Sequence, residues 1–158
     1  MTTDLGLIPL RNFGIIDQSK GMYRSAQPEY EFDYTWLKEK LGVDLVFNLR
    51  KEADADRSMC KQCGIEVTDI LVPDHEAPSV EQADTFIDFV KAVNKPLLIH
   101  CEHGHGRTST FSVLLKLGIG FTLDDAVKDE EVRFQYVFKY PVQADFLKSY
   151  YEHFKLRQ

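Results

Sequence analysis

The sequence lacks the features that mark membrane proteins, secreted proteins and nucleic-acid-binding proteins. No apolar run approaches the roughly 20 residues that a membrane-spanning helix needs. The first residues show neither the basic stretch nor the apolar run of a signal peptide. The formal net charge of −6 opposes general affinity for nucleic acid or for an anionic membrane surface. We therefore expect a cytoplasmic protein that binds neither nucleic acid nor membrane.

Cysteine is also scarce, with 3 residues in a chain of 158. An odd number of thiols cannot all pair within one chain, which is typical of a protein from a reducing compartment. Cys60 and Cys63 have the Cys-x-x-Cys spacing of a redox pair or of half a zinc site, but the sequence offers no second half. We favour two partly buried cysteines on one face of a helix, and a redox role stays open.

Length and composition predict one domain over residues 1–158. A chain of this size buries about 70% of the surface that its unfolded form exposes. Its 44% hydrophobic and 28% charged residues are ordinary for a globular protein. No internal repeat, linker or low-complexity segment divides the sequence, and we expect a monomer.

The most informative segment is HCEHGHGRT, residues 100–108. The apolar run PLLI before it predicts a short buried strand, and the residues after it predict the start of a helix. In such an arrangement, backbone N–H groups converge on an anion at the helix N-terminus, and Gly104 and Gly106 let the chain curl closely around it. The same positive potential favours the thiolate of Cys101. Because the Arg107 guanidinium can hold two phosphate oxygens, the segment predicts a phosphate site with a nucleophilic thiol.

The pattern His-Cys-x5-Arg-Thr resembles the signature loop of the cysteine-dependent protein tyrosine phosphatase superfamily. The resemblance implies that Cys101 attacks phosphorus and forms a phosphocysteine, which water then hydrolyses without a metal or other cofactor. It also implies that His100 supports the loop through backbone contacts. Thr108 is placed to donate a hydrogen bond to the sulfur, although a first-turn helix residue without a chemical role fits the sequence equally well. The loop residues that would bind the substrate phosphate are Glu102, His103, Gly104, His105, Gly106 and Arg107.

A second pattern, VPDH at residues 72–75, supplies a candidate general acid. An alkoxide or phenolate leaves poorly unless it is protonated as its bond to phosphorus breaks. In the superfamily that the loop resembles, an aspartate on a mobile loop upstream of the cysteine has this role, often within Trp-Pro-Asp. Asp74 matches that aspartate, with valine in place of the tryptophan. Asp69 and His75 are the alternative acids, and an ordinary Pro-Asp turn is the other interpretation.

The segment MYRSAQP, residues 22–28, resembles a strand and turn of compact dual-specificity phosphatases. The likeness is to the bacterial enzymes and to the plant and fungal atypical group, and it continues from about Tyr23 to Phe146. Arg24 and Gln27 are either site residues or residues that tie loops to the scaffold. We favour the scaffold role for both.

Predicted strands and helices alternate along the chain. They indicate an α/β fold with a central, mostly parallel sheet of about four or five strands, flanked by helices as in dual-specificity phosphatases. The reactive loop then follows the carboxyl end of a strand, where open α/β sheets bind ligands. The predicted strands are residues 13–17, 22–24, 44–49, 66–71 and 97–100. The predicted helices are residues 33–41, 52–63, 80–94, 107–117, 123–134 and 142–154, with Val142, Phe146, Tyr150 and Phe154 on the inner face of the last.

The substrate class stays open between a phosphorylated protein and an inositol polyphosphate. The loop carries no lysine, but His103 and His105 would add positive charge on protonation, unless they are exposed residues with hydrogen-bonding roles only. The loop is also similar to that of bacterial tyrosine-phosphatase-like phytases, and the atypical group acts on inositol pyrophosphates.

Two other functions use comparable loops, namely sulfur transfer or arsenate reduction, as in rhodanese-like and arsenate-reductase folds, and phosphate recognition without turnover. The upstream Pro-Asp pair disfavours the first. The presence of both Cys101 and Arg107 disfavours a non-catalytic module.

Overall fold

The structure, a computed structural model, describes residues 5–54, 57–134, 138 and 140–158. Within these residues strands and helices alternate, which confirms the predicted α/β class. No helix in this part of the chain is long and apolar enough to cross a bilayer. The strands are β1 (Gly14–Asp17), β2 (Met22–Ser25), β3 (Leu45–Arg50), β4 (Glu66–Val72) and β5 (Leu97–His100). The helices are α1 (Glu31–Leu41), α2 (Arg57–Gln62), α3 (Val80–Ala92), α4 (Gly106–Gly118), α5 (Leu123–Arg133) and α6 (Pro141–Leu156).

The described strands form one sheet in the order β1-β2-β5-β3-β4. β1 pairs antiparallel with β2 and the other pairs are parallel, which confirms the prediction of a mostly parallel sheet. His100, the last residue of β5, pairs with Ser25 of β2 and Asn48 of β3. The carboxyl ends of the three central strands therefore lie together, and the loop after His100 leaves the sheet at the edge where parallel sheets bind ligands.

Helices cover both faces of the sheet, and each face buries its own apolar cluster. Phe47 of β3 packs against Phe86 of α3 with ring centroids 5.1 Å apart, and Phe86 packs against Phe111 of α4 at 5.0 Å. Val46, the neighbour of Phe47 in β3, joins the opposite cluster, which contains Trp36 of α1. Adjacent residues enter different cores because successive side chains of a strand point to opposite faces.

The second helix is shorter than predicted. The pattern over residues 52–63 predicts a helix from Glu52, but α2 begins at Arg57, and residues 55–56 lie outside the described residues. Glu52 lies in a turn after β3, and its carboxylate pairs with Arg107. This long-range contact outweighs a helical preference that only local sequence supports.

The predicted end of α3 and the predicted inner face of α6 also need correction. α3 ends before Asn94, and Val142 is 48% exposed although the helical pattern places it in the core. Gln143 is 1% exposed instead, because the first turn of α6 packs toward the loop after β5 rather than onto the sheet. Tyr150 and Phe154, further along α6, are buried as predicted.

Candidate active site

Residues 101–107, which we call the signature loop, link β5 to the first turn of α4 and rest on the end of β2. Gly104 has a φ of +76°, a conformation that favours glycine, and a Cβ there would lie 2.6 Å from the backbone nitrogen of Ala26. A Cβ on Gly106 would lie 2.6 Å from the Oε1 atom of Gln143. Backbone conformation and close backbone contact therefore require glycine at 104, whereas a side chain at 106 would displace the buried Gln143 amide.

Cys101 lies at the floor of this loop and is 4% exposed. Thr108, in the first turn of α4, donates a hydrogen bond from its hydroxyl to the Cys101 sulfur, with 2.9 Å between Oγ1 and Sγ. Of the two alternatives that the sequence left open for Thr108, the structure thus favours the hydrogen bond to the sulfur. A hydroxyl donor and the N-terminus of a helix both favour a negative charge on sulfur.

Arg107 is buried, and its guanidinium donates to three residues outside the signature loop or lies close to them. Nη1 and Nη2 donate to the two carboxylate oxygens of Glu52 at 2.6 and 2.9 Å. Nη1 also donates to the carbonyl oxygen of Val72 at 2.9 Å, and Nη2 lies 3.3 Å from Oδ1 of Asp74. Burial lowers the pKa of Arg107, but the bonds to Glu52 and the negative charges nearby raise it further, so the net shift is upward.

Glu52 is a site residue that the sequence analysis missed, as are Tyr140 and Gln143, which line the pocket. The hydrogen bonds from Arg107 hold the pKa of Glu52 at about 2, well below its ordinary value. The carboxylate is ionised at neutral pH, and it fixes the guanidinium in one plane. Its place directly after the carboxyl end of a parallel strand is the one signal in the sequence that could have found it.

Asp74 lies on the loop between β4 and α3 and faces the sulfur across the pocket. Its second oxygen, Oδ2, is 3.1 Å from Nε2 of His75. The centroid of the His75 ring lies 4.2 Å from that of the Tyr140 ring, so the loop that carries Asp74 contacts the start of α6. Asp69, the alternative acid, pairs instead with Arg57 and is not among the described residues that line the pocket.

His100 supports the signature loop from below. Its ring is 1% exposed, and Nδ1 lies 3.2 Å from the carbonyl oxygen of Cys101. Because a carbonyl oxygen can only accept, Nδ1 carries the hydrogen. Burial lowers the pKa of His100 to about 4, so the ring is neutral at neutral pH. The structure therefore places it as a hydrogen-bond donor to the backbone, outside the proton chemistry.

The loop histidines differ in their surroundings. Nδ2 of Asn12 lies 2.6 Å from the carbonyl oxygen of His103, so this atom is the amide donor of Asn12. The same nitrogen lies 3.0 Å from Nε2 of His105, which can accept its second hydrogen only while that ring is neutral. This contact disfavours a positive charge on His105, whereas the His103 side chain is about half exposed.

The pocket above the sulfur contains few cations. Among the described residues that line it, Arg107 is the only arginine or lysine, and Asp74 and Glu102 are both acidic. Its lining residues are Asp74, Cys101, Glu102, His103, His105, Gly106, Arg107, Tyr140 and Gln143.

Arg24 and Gln27 do not line this pocket in the described part of the chain. The backbone N–H of Gln27 donates to the carbonyl oxygen of Glu102 at 3.1 Å, and its side-chain oxygen accepts from Arg50. Arg24 contacts the carbonyl oxygen of Gly104. Both residues therefore join the signature loop to the scaffold, the role that the sequence analysis favoured.

The Cys-x-x-Cys pair lies on the opposite side of the sheet. Cys60 is buried in the cluster with Trp36, and Cys63, just after α2, is partly buried and packs against the same cluster. Across the ranges that the structure describes, no group of three or more histidine, cysteine or acidic residues could hold a metal ion.

Known proteins share this fold. Tk-PTP in its active form has a TM-score of 0.78 and 26% sequence identity, over 89% of this chain and 97% of that chain. The core catalytic domain of the PP-IP phosphatase SIW14 from S. cerevisiae has a TM-score of 0.71 at 20% identity, over 90% and 87% of the two chains. The effector protein hopD2 of Pseudomonas syringae pv. tomato is 27% identical over 66 residues, which are 40% of this chain and 14% of that protein. The chain thus matches a small part of the length of that relative.

Fold and site together define a cysteine-dependent phosphatase of the dual-specificity type. The sequence model of one family, Tc-R-P, described as "Polymorphic toxin system, DSP-PTPase phosphatase", matches residues 19–118. That segment is more than half of the chain, and the protein belongs to this family. The match favours phosphate ester hydrolysis over the sulfur transfer that the loop alone left open.

Proposed function

We propose that this phosphatase hydrolyses phosphate monoesters on protein side chains through a phosphocysteine intermediate. The observation that carries the proposal is the Cys101 sulfur, held by the Thr108 hydroxyl in a pocket that Arg107 and Asp74 also line. A nucleophile, an anion-binding guanidinium and an acid are the groups that phosphoryl transfer to a thiol requires.

In the first step, the Cys101 thiolate attacks phosphorus in line with the leaving oxygen. The S–P bond forms as the P–O bond breaks, and Asp74 gives its proton to the departing oxygen. Arg107 and the backbone N–H groups at the start of α4 hold the remaining phosphate oxygens. The arriving phosphate replaces Asp74 as the partner of Arg107 Nη2, and this exchange releases the carboxyl group toward the leaving oxygen.

In the second step, water attacks phosphorus and the S–P bond breaks. Asp74, now a carboxylate, takes the proton from the water, and Cys101 leaves as a thiolate. The hydrogen bond from Thr108 stabilises the negative charge that returns to sulfur. His100 keeps the Cys101 carbonyl oriented throughout without exchanging a proton.

The charges around the pocket favour a substrate with a single phosphate. A highly phosphorylated inositol needs several cations. Among the described residues that line the pocket, however, the one guanidinium, Arg107, lies beside two acidic side chains, Asp74 and Glu102. The contact from Asn12 also disfavours charge on His105. A phosphorylated side chain of a protein places one dianion in the pocket, and the guanidinium and loop amides suffice for it. An inositol polyphosphate is the second candidate, because the fold is shared with the PP-IP phosphatase SIW14.

The test measures phosphate release from a phosphotyrosine peptide, a phosphothreonine peptide and inositol hexakisphosphate in parallel. A chelator removes contaminating metal-dependent activity, and the Cys101→Ser protein is the blank. We expect faster release from a peptide than from the inositol phosphate, and no turnover by the variant. Preference for the inositol phosphate would overturn the substrate assignment, and substantial turnover by Cys101→Ser would overturn the nucleophile.

A further inference from the structure

Arg24 is a buried cation behind the signature loop. Its side chain is 1% exposed, and it extends from β2 toward the start of α4. Nη2 donates to the carbonyl oxygen of Gly104 at 2.9 Å and to the Ser109 hydroxyl at 3.0 Å. The guanidinium carbon also lies 4.1 Å from the centre of the Phe134 ring, which covers it. One side chain therefore joins the loop, the first turns of α4 and the segment after α5.

The other end of the Arg24 guanidinium pairs with Glu130 of α5, whose side chain is 0% exposed. Glu130 Oε2 accepts from Lys116 Nζ at 2.6 Å and from the Ser112 hydroxyl at 2.7 Å, both on α4. Lys116 Nζ also lies 3.0 Å from Asp129 Oδ2. Side chains of α4 thus hold one carboxylate oxygen of Glu130, while the other oxygen pairs with Arg24.

Burying charged groups in this way costs free energy, because the groups lose their hydration. Replacing a buried ion pair by packed apolar residues is often neutral or stabilising, so its presence is weak evidence for a role in stability. The contacts of Arg24 show a more specific use. Arg24 fixes the Gly104 carbonyl, and the N–H of the same trans peptide group, which belongs to His105, therefore points in the opposite direction.

Arg24 is charged at neutral pH despite its burial. Burial lowers the pKa of Arg24 only to about 9, and the charge of Cys101 opposes that shift.

We propose that the buried pair of Arg24 and Glu130 positions the signature loop for binding of the phosphate. Arg24 fixes the Gly104 peptide, and Glu130 holds Arg24 in place. The inference rests on the proposed function of Cys101. Glu130 lies in α5, outside residues 19–118 that the family model matches. The proposal therefore adds to the site a residue from beyond that segment.

The test uses three substitutions in the full chain. Arg24→Lys keeps the charge but removes the planar fork, and Glu130→Gln keeps the shape but removes the charge. Asp129→Asn is the matched control, because Asp129 contacts the same Lys116 without contacting Arg24. Each protein is assayed for tungstate binding by calorimetry and for thermal unfolding.

We expect Arg24→Lys and Glu130→Gln to weaken tungstate binding about tenfold, the effect of losing one hydrogen bond that involves a charged group. Asp129→Asn should match the wild type in tungstate binding. A purely structural pair would lower the unfolding temperature and leave tungstate binding by the folded protein unchanged, and that result would overturn the proposal.

Ser109→Ala keeps the test decisive if both variants of the pair fail to fold. It removes one acceptor of Arg24 and leaves the ion pair intact. We expect tungstate binding to weaken about threefold, and unchanged binding would overturn the proposal. A wild-type protein that neither binds tungstate nor releases phosphate would instead refute the proposed function. Wild-type activity together with unaffected variants would refute only the role of Arg24 and Glu130.

Discussion

The neutral, buried ring of His100 makes the folded protein sensitive to mild acid. Burial lowers the pKa of His100 from 6.5 to about 4 in the folded protein. In the unfolded chain the ring is solvated and takes up a proton at its ordinary pKa. Stability from this group is therefore fully present above the unfolded pKa, and it is lost as the pH falls toward the folded pKa. The substitution His100→Asn removes this titration.

The size of the effect follows from the two pKa values. At about pH 5 nearly every unfolded chain carries a proton on this ring, whereas about one folded molecule in ten does. The free energy of unfolding should then be about 2 kcal/mol lower than at about pH 7 because of His100 alone. Glu52 acts in a more acidic window, below its ordinary pKa and down to about 2, so the two groups are separable.

The assay is urea unfolding of the wild type and of His100→Asn at both pH values. The variant loses the bond to the Cys101 carbonyl and should be less stable at neutral pH, so the informative quantity is the change with pH. We expect the wild type to lose about 2 kcal/mol more than the variant between the two conditions. His103→Asn, which removes a half-exposed imidazole from the neighbouring loop, is the control. An equal pH dependence in wild type and His100→Asn would refute the reasoning.

Two predictions concern the reaction itself. Asp74→Asn should slow hydrolysis of alkyl phosphates much more than that of aryl phosphates with good leaving groups, because only the former need a proton during bond breaking. Equal slowing of both esters in steady-state assays would remove Asp74 as the acid. Glu52→Gln should lower kcat/KM roughly ten- to thirtyfold, because Arg107 loses a charge-assisted bond that orients it. The opposite result is expected if the main effect of the Glu52 carboxylate is to neutralise the positive charge of Arg107. The variant will then bind tungstate more tightly than the wild type, which would contradict an orienting role.

Much of the fold was predictable because its signals are local. β5 and α4 follow from a short apolar run and from glycines that end it, and the capping box of α3 is visible as Ser79 with Gln82, whose backbone N–H donates to the serine hydroxyl at 3.0 Å. The error at α2 has the opposite origin. Residue Glu52 suits a helix by local preference, but a partner 55 positions away, Arg107, fixes it in a turn.

Side chains whose partners are distant in sequence could not be assigned in advance. Val142 and Gln143 are adjacent in the first turn of α6, and the helical period favours the valine for the core. The amide is buried instead because it packs against Gly106, where a Cβ would collide with it. Similarly, the idea that both loop histidines add charge is weakened by Asn12, which lies 93 positions before His105.

The sequence by itself determined the reactive group of this protein. The reactive residues lie on the signature loop and the first turn of α4, and they are Cys101, Arg107 and Thr108. Their positions along the chain therefore already determine the distances between them. Only the tertiary structure decided what surrounds that group. The carboxylate of Glu52 on Arg107 and the chain from Glu130 through Arg24 to the loop join residues from separate strands and helices. Their proximity depends on the order of strands in the sheet and on the helices packed against it, which no local pattern encodes.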